Sequence, residues 1–195
     1  MSSTLAPETS TITPALSGDY TFDPAHSRVG FAARHAMISK IRGAFTDFDG
    51  TLHIDVENPA ASKATVTIQA KSIDTRNQTR DEHLKSNDFF DMNNHPEITF
   101  VTTSVEQTSP TEFTLAGDLT IKGVTKPVSI PFQYTGSAND PWGNERAGFE
   151  GAVTIKRTDW GVNWNAALEA GGVLVSEKVT LEFEIAAIKS KPAAE

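Results

Sequence analysis

The chain has 195 residues and carries 25 acidic against 17 basic side chains, a net charge of -8. That balance is the opposite of the basic surplus a nucleic-acid binder normally shows, and the absence of cysteine excludes disulfides and thiolate-held metals. The length suits one domain, and no run approaches the about 20 apolar residues of a membrane-spanning helix.

Residues 1–17 are rich in Ser, Thr and Pro and are expected to form a flexible tail, as are residues 189–195. The N-terminus has neither a basic n-region nor an apolar h-region, which points to a cytoplasmic protein. A single domain is expected over residues 18–188.

Within it, apolar and polar side chains alternate with the period of two that marks strands with one dry face. Val29, Phe31, Ala33 and His35 share a parity. Gly43 and Phe45 share one too, but Phe48, Gly50, Leu52 and Ile54 have the opposite one, so a bulge is expected at Thr46–Asp47. Ala64, Val66, Ile68 and Ala70 form the next dry face, and Ile98 and Phe100 open a strand whose later residues are ambiguous. The second half is cleaner. Its dry faces are Phe113, Leu115, Gly117, Leu119, Ile121, then Val128, Ile130, Phe132, Tyr134, then Ala147, Phe149, Gly151, Val153, Ile155, and last Val179, Leu181, Phe183, Ile185. About eight strands follow, near residues 28–35, 43–55, 63–71, 97–105, 112–122, 126–135, 146–156 and 174–187. A sheet wetted on one side is usually antiparallel. Pro131 cannot donate to a ladder and signals an opening or irregularity in the sixth strand.

One helix is expected between the third and fourth strands, capped by Thr79 with Glu82 completing a capping box and Leu84 facing inward. A second short helical turn is expected at Ala36 to Ile41.

Catalytic motifs are missing: there is no G-x-S-x-G, no P-loop and no G-x-G-x-x-G. None of the five histidines shows H-x-H or H-E-x-x-H spacing, and no metal or cofactor is expected. Asp81, Glu82 and His83 read as a solvated helix start, and His26 as a turn-former. Arg80–Asp81 and Arg157–Asp159 are candidate ion pairs near a barrel mouth. Eleven of the sixteen aromatic residues are Phe, spread over nearly every dry face. In a filled barrel they would be core, but an eight-stranded barrel can also hold one small ligand. Phe-lined walls suit an apolar chain. At about 0.8 kcal/mol per buried methylene, a branched C5 unit contributes about 3–4 kcal/mol before association costs.

The run Asp23-Pro24-Ala25-His26-Ser27-Arg28-Val29-Gly30-Phe31 resembles the opening signature of YceI-like proteins. So do the segments at His35, Gly43–Gly50, Ser72–Thr75, Arg80–Leu84, Asp88–Asp91, Pro96–Phe100, Gly117–Val128 and Arg157–Gly161, in order over roughly 18–188. The resemblance implies an all-β fold, an extended eight-stranded antiparallel lipocalin-like barrel with one or two short helices. It also implies a binder or carrier of polyisoprenoids and related amphiphilic lipids, isoprenoid quinones included, with the tail inside and no catalytic residues. Many such proteins are periplasmic, whereas this N-terminus lacks an export signal.

From alternation and resemblance together, the residues expected at the ligand are Phe31, Ala33, His35, Phe45, Phe48, Leu52, Ile68, Phe89, Phe90, Phe100, Leu119, Ile130, Phe132, Phe149, Val153, Trp160, Leu181 and Phe183. The expected partner is an isoprenoid or fatty-chain lipid, with a homodimer left open. Two alternatives stand beside it: an enzyme or stress factor acting on a small apolar substrate through His35 and a mouth charge, or a filled barrel acting through protein partners.

Overall fold

The computed structural model describes residues 11–192. The outer parts of both expected tails, residues 1–10 and 193–195, lie outside the described residues. Eleven strands form one antiparallel sheet: β1 (Gly18–Phe22), β2 (Arg28–His35), β3 (Ser39–Phe45), β4 (Phe48–Ile54), β5 (Lys63–Gln69), β6 (Ile73–Asp74), β7 (Glu97–Gln107), β8 (Glu112–Ile121), β9 (Val124–Asn139), β10 (Glu145–Lys156) and β11 (Lys178–Lys189). The ring β1-β4-β5-β7-β8-β9-β10-β11 closes where β1 pairs back onto β11, so the fold is a closed eight-stranded barrel.

The additional strands come from breaks within three staves. β11 pairs with β1 near its end and with β2 near its start, because a 3-10 turn at Pro24–His26 interrupts what would otherwise be one strand. Asp23 organises that turn. Its carboxylate accepts from Ala25 N at 3.0 Å, lies 2.7 Å from His26 Nδ1 and receives Arg146 Nη1, so His26 sits in a turn as the sequence suggests. The Arg146 guanidinium, more than any other neighbour, holds the Asp23 carboxyl below its ordinary range. The change of parity at Thr46–Asp47 is not the expected bulge within one strand but the break between β3 and β4, and β3 pairs onward with β6 while β4 pairs with β5.

Other irregularities have equally local causes. The later residues of β7 are ambiguous in sequence because the β7–β8 register shifts between Thr102 and Ser104. Val101, before the shift, lies on the wet face by ordinary alternation, and the shift turns Val105 inward. The β9–β10 ladder stops at the Phe132–Gly151 pair, one residue short of Pro131, which has no N–H to offer. Past that point β9 pairs with β8 alone. Trp160, buried at the end of a 3-10 turn at Arg157–Trp160, donates Nε1–H to Leu119 O at 2.9 Å and ties the segment after β10 back to β8.

Three further expectations are corrected. Ala36 to Ile41 is no helical turn: residues 36–38 are a tight loop with Ala36 and Met37 at positive φ, and β3 begins at Ser39. The helix α1 (Gln78–Lys85) starts earlier than expected, and its cap is Asn77, whose side chain accepts from Arg80 N at 2.9 Å. β11 begins at Lys178, because residues 174–177 belong to a loop that bridges to His35 through Val175.

The dry faces make two clusters. The larger contains Val29, Phe45, Ile68, Phe100, Leu119, Ile130 and Ile185. The smaller gathers Leu16, Tyr20, Tyr134, Ala147 and Ala187 where β1 meets β11. Residues 14–16 form a 3-10 turn that seats Leu16 there. Tyr20 Oη–H donates to Leu16 O at 2.8 Å. Burial first, then Glu145 and Tyr134, push its pKa up to about 12. Between pH about 10 and 12 the folded protein keeps this proton while the unfolded chain has lost it, so this contribution to stability is full below pH 10 and fades as pH rises. Ultraviolet titration should therefore show one tyrosine ionising near the upper limit. Tyr20→Phe should remove that late step and cost about 1 kcal/mol.

Candidate functional site

The inward faces do not meet at the barrel axis. They enclose an elongated cavity of about 250 Å³, far above the about 10–15 Å³ that one water molecule needs. Its walls draw on every stave. At one end stand Ile12, Leu16, Ile54, Val56 and Phe113; at the other, Ala33, Leu84, Phe89, Phe90, Val162 and Val175. The only polar or charged side chains on its boundary, among the described residues, are Asp55, Ser62, Lys63, Gln107 and Arg157.

What keeps this space open is a set of phenylalanine–glycine contacts. A Cβ built on Gly50 would lie 2.6 Å from the Phe22 ring, and one on Gly151 would lie 2.6 Å from Phe132 Cδ1. Gly43 would meet Phe31, its neighbour in the β2–β3 register, in the same way, and Gly117 would meet Phe100. Each ring therefore lies against the wall over a residue with no side chain, and its bulk is withheld from the axis. Gly50→Val tests this directly, because the nearest atoms there all belong to the Phe22 ring rather than to backbone. The new side chain should drive Phe22 into the lumen at a cost of about 1–3 kcal/mol and reduce uptake of an apolar chain about tenfold. Unchanged uptake with a shifted Phe22 ring would show that this part of the cavity is not used.

One end is closed by α1 and the segment after it. Phe90 packs edge-on against Phe45, ring centroids 5.9 Å apart, and Phe45 against Phe31, also 5.9 Å. His83, Phe89 and Trp164 form a second aromatic group, and His83 Nε2 lies 2.7 Å from Asp88 Oδ2. The expected Arg80–Asp81 ion pair does not form. Both side chains hold the buried Thr75 instead: Thr75 N–H and Oγ1–H donate to Asp81 Oδ1, and Arg80 donates from Nε to Thr75 Oγ1 and from Nη2 to Thr75 O, each at 2.7 Å. Asp81, Glu82 and His83 thus point to three different partners, Thr75, Lys85 and Asp88. Among the described residues no group of three or more acids or histidines is placed to hold a metal ion.

Arg157 does not pair with Asp159 either. It is 6% exposed, and its guanidinium donates to three backbone carbonyls: Nε to Ser176 at 2.9 Å, Nη1 to Val162 at 2.6 Å and Nη2 to Val175 at 3.3 Å. Burial lowers its pKa, and nearby Glu177 partly offsets this. Its geometry locks the loop of residues 161–177 over the barrel end.

Of the residues expected at a ligand, Phe31, Ala33, Phe45, Leu52, Ile68, Phe89, Phe90, Phe100, Leu119, Ile130, Phe132, Phe149, Leu181 and Phe183 are brought together on the cavity wall. Phe48 and Trp160 are buried in the core behind it, and Val153 packs against that core. His35, expected to point inward, lies exposed at the end of β2, because the β2–β3 hairpin runs past the first residue of β11. The wall also includes Ile12, Phe22, Val105 and Val175, which alternation does not reveal. Phe22 directly precedes the Asp23-Pro24 break, Val105 follows the register shift, and Ile12 and Val175 lie outside regular strands.

Residues 20–187 match the model of the YceI-like domain family. A UPF0312 protein of Staphylococcus aureus is 41% identical over 165 residues, covering 84% of this chain and 94% of that protein. One from Ectopseudomonas mendocina is 43% identical over 150 residues, covering 76% and 78%. The crystal structure of the Campylobacter jejuni YCEI protein is similar with a TM-score of 0.69 at 30% identity, over 81% of this chain and 90% of that one. Two more distant structures share the fold. Burkholderia cenocepacia BcnA has a TM-score of 0.75 at 24% identity, over 85% and 98%. A polyisoprenoid binding domain from Saccharophagus degradans has a TM-score of 0.64 at 13% identity, over 88% and 98%. With the family match spanning nearly the whole barrel, the chain belongs to the YceI-like family.

Proposed function

We propose that this protein binds a long-chain amphiphilic lipid of the polyisoprenoid type, an isoprenoid quinone among the candidates, and carries or sequesters it with the tail inside the barrel. The observation that carries this reading is the cavity of about 250 Å³ with aromatic and aliphatic walls. A flexible apolar chain gains about 0.8 kcal/mol per methylene in such a space and needs no charged partner along its length. The family match and the polyisoprenoid-binding domain of the same fold support it. We read the protein as a binder rather than an enzyme, since the enzymatic alternative relied on His35, whose ring lies outside the barrel. A cytoplasmic place of action belongs to the same proposal, and cell fractionation checks it.

The decisive experiment is organic extraction of the purified full chain followed by mass spectrometry, with reloading of the stripped protein by an isoprenoid alcohol. One long-chain isoprenoid recovered in near-stoichiometric amount is expected. A protein that neither retains nor takes up any isoprenoid or long-chain lipid overturns the reading.

A further inference from the structure

The β2–β3 hairpin is the feature that lipid carriage inside the barrel leaves unexplained. Its loop carries two of the few large apolar side chains exposed on the molecule, Met37 at 59% and Ile38 at 84%. Beside it, Ala36 N–H donates to Leu174 O at 2.7 Å, and this contact brings up the loop bearing the exposed Val173. The hairpin is also a charge anomaly. From Arg28 to Phe45 the chain has Arg28, Arg34, Lys40 and Arg42 and no acidic residue, in a protein of net charge -8. Arg34 pairs in register with Lys40, and Arg42 with Ala32, so these three cations share the outer face. All three are exposed, and none has an ion-pair partner among the described residues.

The loop itself is strained. Ala36 and Met37 have φ of 51 and 58, left-handed values that a hairpin normally assigns to Asn or Gly. A turn selected for folding alone would not place Met there. An apolar tip flanked by cations is the pattern of a segment that seats in the interfacial region of a bilayer, with the greasy residues among the headgroups and the cations on anionic lipid. The place fits as well. Ala33 in β2 and Val175, bridged to His35 next to the tip, both line the cavity.

We infer that the Met37–Ile38 tip, with Arg34, Lys40 and Arg42, is a docking surface for an anionic membrane, which holds this end of the barrel against the bilayer from which a lipid would be taken. The surface stands on its own exposure and charge. Only its link to lipid transfer rests on the proposed function.

Sedimentation with large vesicles tests it, using phosphatidylcholine alone and phosphatidylcholine with about 30% phosphatidylglycerol. The wild-type chain should bind the anionic vesicles at low salt, bind the neutral ones more weakly and be released by high salt. Ile38→Asp should weaken binding about tenfold, and Lys40→Glu with Arg42→Glu by at least as much, since each cation near the surface contributes about fivefold. Both variants alter exposed positions, and the second leaves the apolar tip intact. Uptake of an isoprenoid alcohol added without vesicles is measured in parallel and should match wild type in both. If no protein takes up the alcohol, the carrier reading fails while the docking result stands by itself. A wild-type chain that stays in the supernatant at low salt, or binding equal in wild type and Ile38→Asp, overturns the inference. So does self-association that Ile38→Asp abolishes without any vesicle binding, which would make the tip an interface between copies.

Discussion

Replacing Phe100 by Asp is expected to reduce isoprenoid retention at least about a hundredfold, while the same change at its neighbour Thr99 leaves retention within about twofold. Phe100 is 8% exposed, faces the cavity and lies between Val66 of β5 and Leu119 of β8. A carboxylate there enters an apolar lumen without an ion partner, at a cost of several kcal/mol, and every 1.4 kcal/mol of lost binding is a factor of ten. Thr99 points the other way, in register with Thr67 and Thr120 on the wet face. Native mass spectrometry of the reloaded proteins measures both. Should Phe100→Asp fail to fold, Leu181→Trp serves the same purpose by filling the lumen, because Leu181 lies on the cavity wall. Equal losses from Phe100→Asp and Thr99→Asp in folded proteins would refute the inward assignment.

Arg157→Met is expected to be the most destabilising single change outside the cavity-lining phenylalanines. The substitution keeps much of the apolar stem but leaves the carbonyls of Ser176 and Val162 without this donor, while Val175 O keeps its hydrogen bond from Asn165 Nδ2 at 2.8 Å. Each buried acceptor left unpaired costs about 1–3 kcal/mol, partly offset because a desolvated cation is also removed. A net loss of about 3 kcal/mol is expected, equivalent to a fall of roughly 6–12 °C in Tm for a domain of this size. Arg157→Lys should fall between the two, since an ammonium cannot present the planar fork that reaches all three carbonyls. Thermal unfolding followed by circular dichroism decides the matter, and a methionine variant as stable as wild type would remove Arg157 from the scaffold.

The regular strands were legible because their side chains obey a strict period of two. On β8, Phe113, Leu115, Leu119 and Ile121 all reach the cavity wall as alternation requires, and on β11 so do Val179, Leu181, Phe183 and Ile185. The parity reversal at Thr46–Asp47 was legible for the same reason, although it marks a break between two strands rather than a bulge within one, and the defect at Pro131 was legible from its missing hydrogen-bond donor. Where the chain leaves that period, the sequence loses its hold. β1 is only five residues long and ends at the Asp23-Pro24 break, and the helix is capped by Asn77, two residues before the expected Thr79. His35 kept the dry parity, yet it lies on a hairpin that overshoots the barrel, so there is no interior for it to face.

The sequence by itself determined that these are one-sided antiparallel strands, which residues are apolar on each, and that glycines recur on the same faces as the phenylalanines. Those properties follow from pleat geometry and composition, which are local. Only the tertiary structure decided that β1 closes onto β11, and that Phe22, Phe31, Phe100 and Phe132 lie over Gly50, Gly43, Gly117 and Gly151. The difference between a filled core and a hollow one lies in that registry across strands. A ring over a glycine leaves the axis empty, whereas the same ring opposite a larger side chain would fill it.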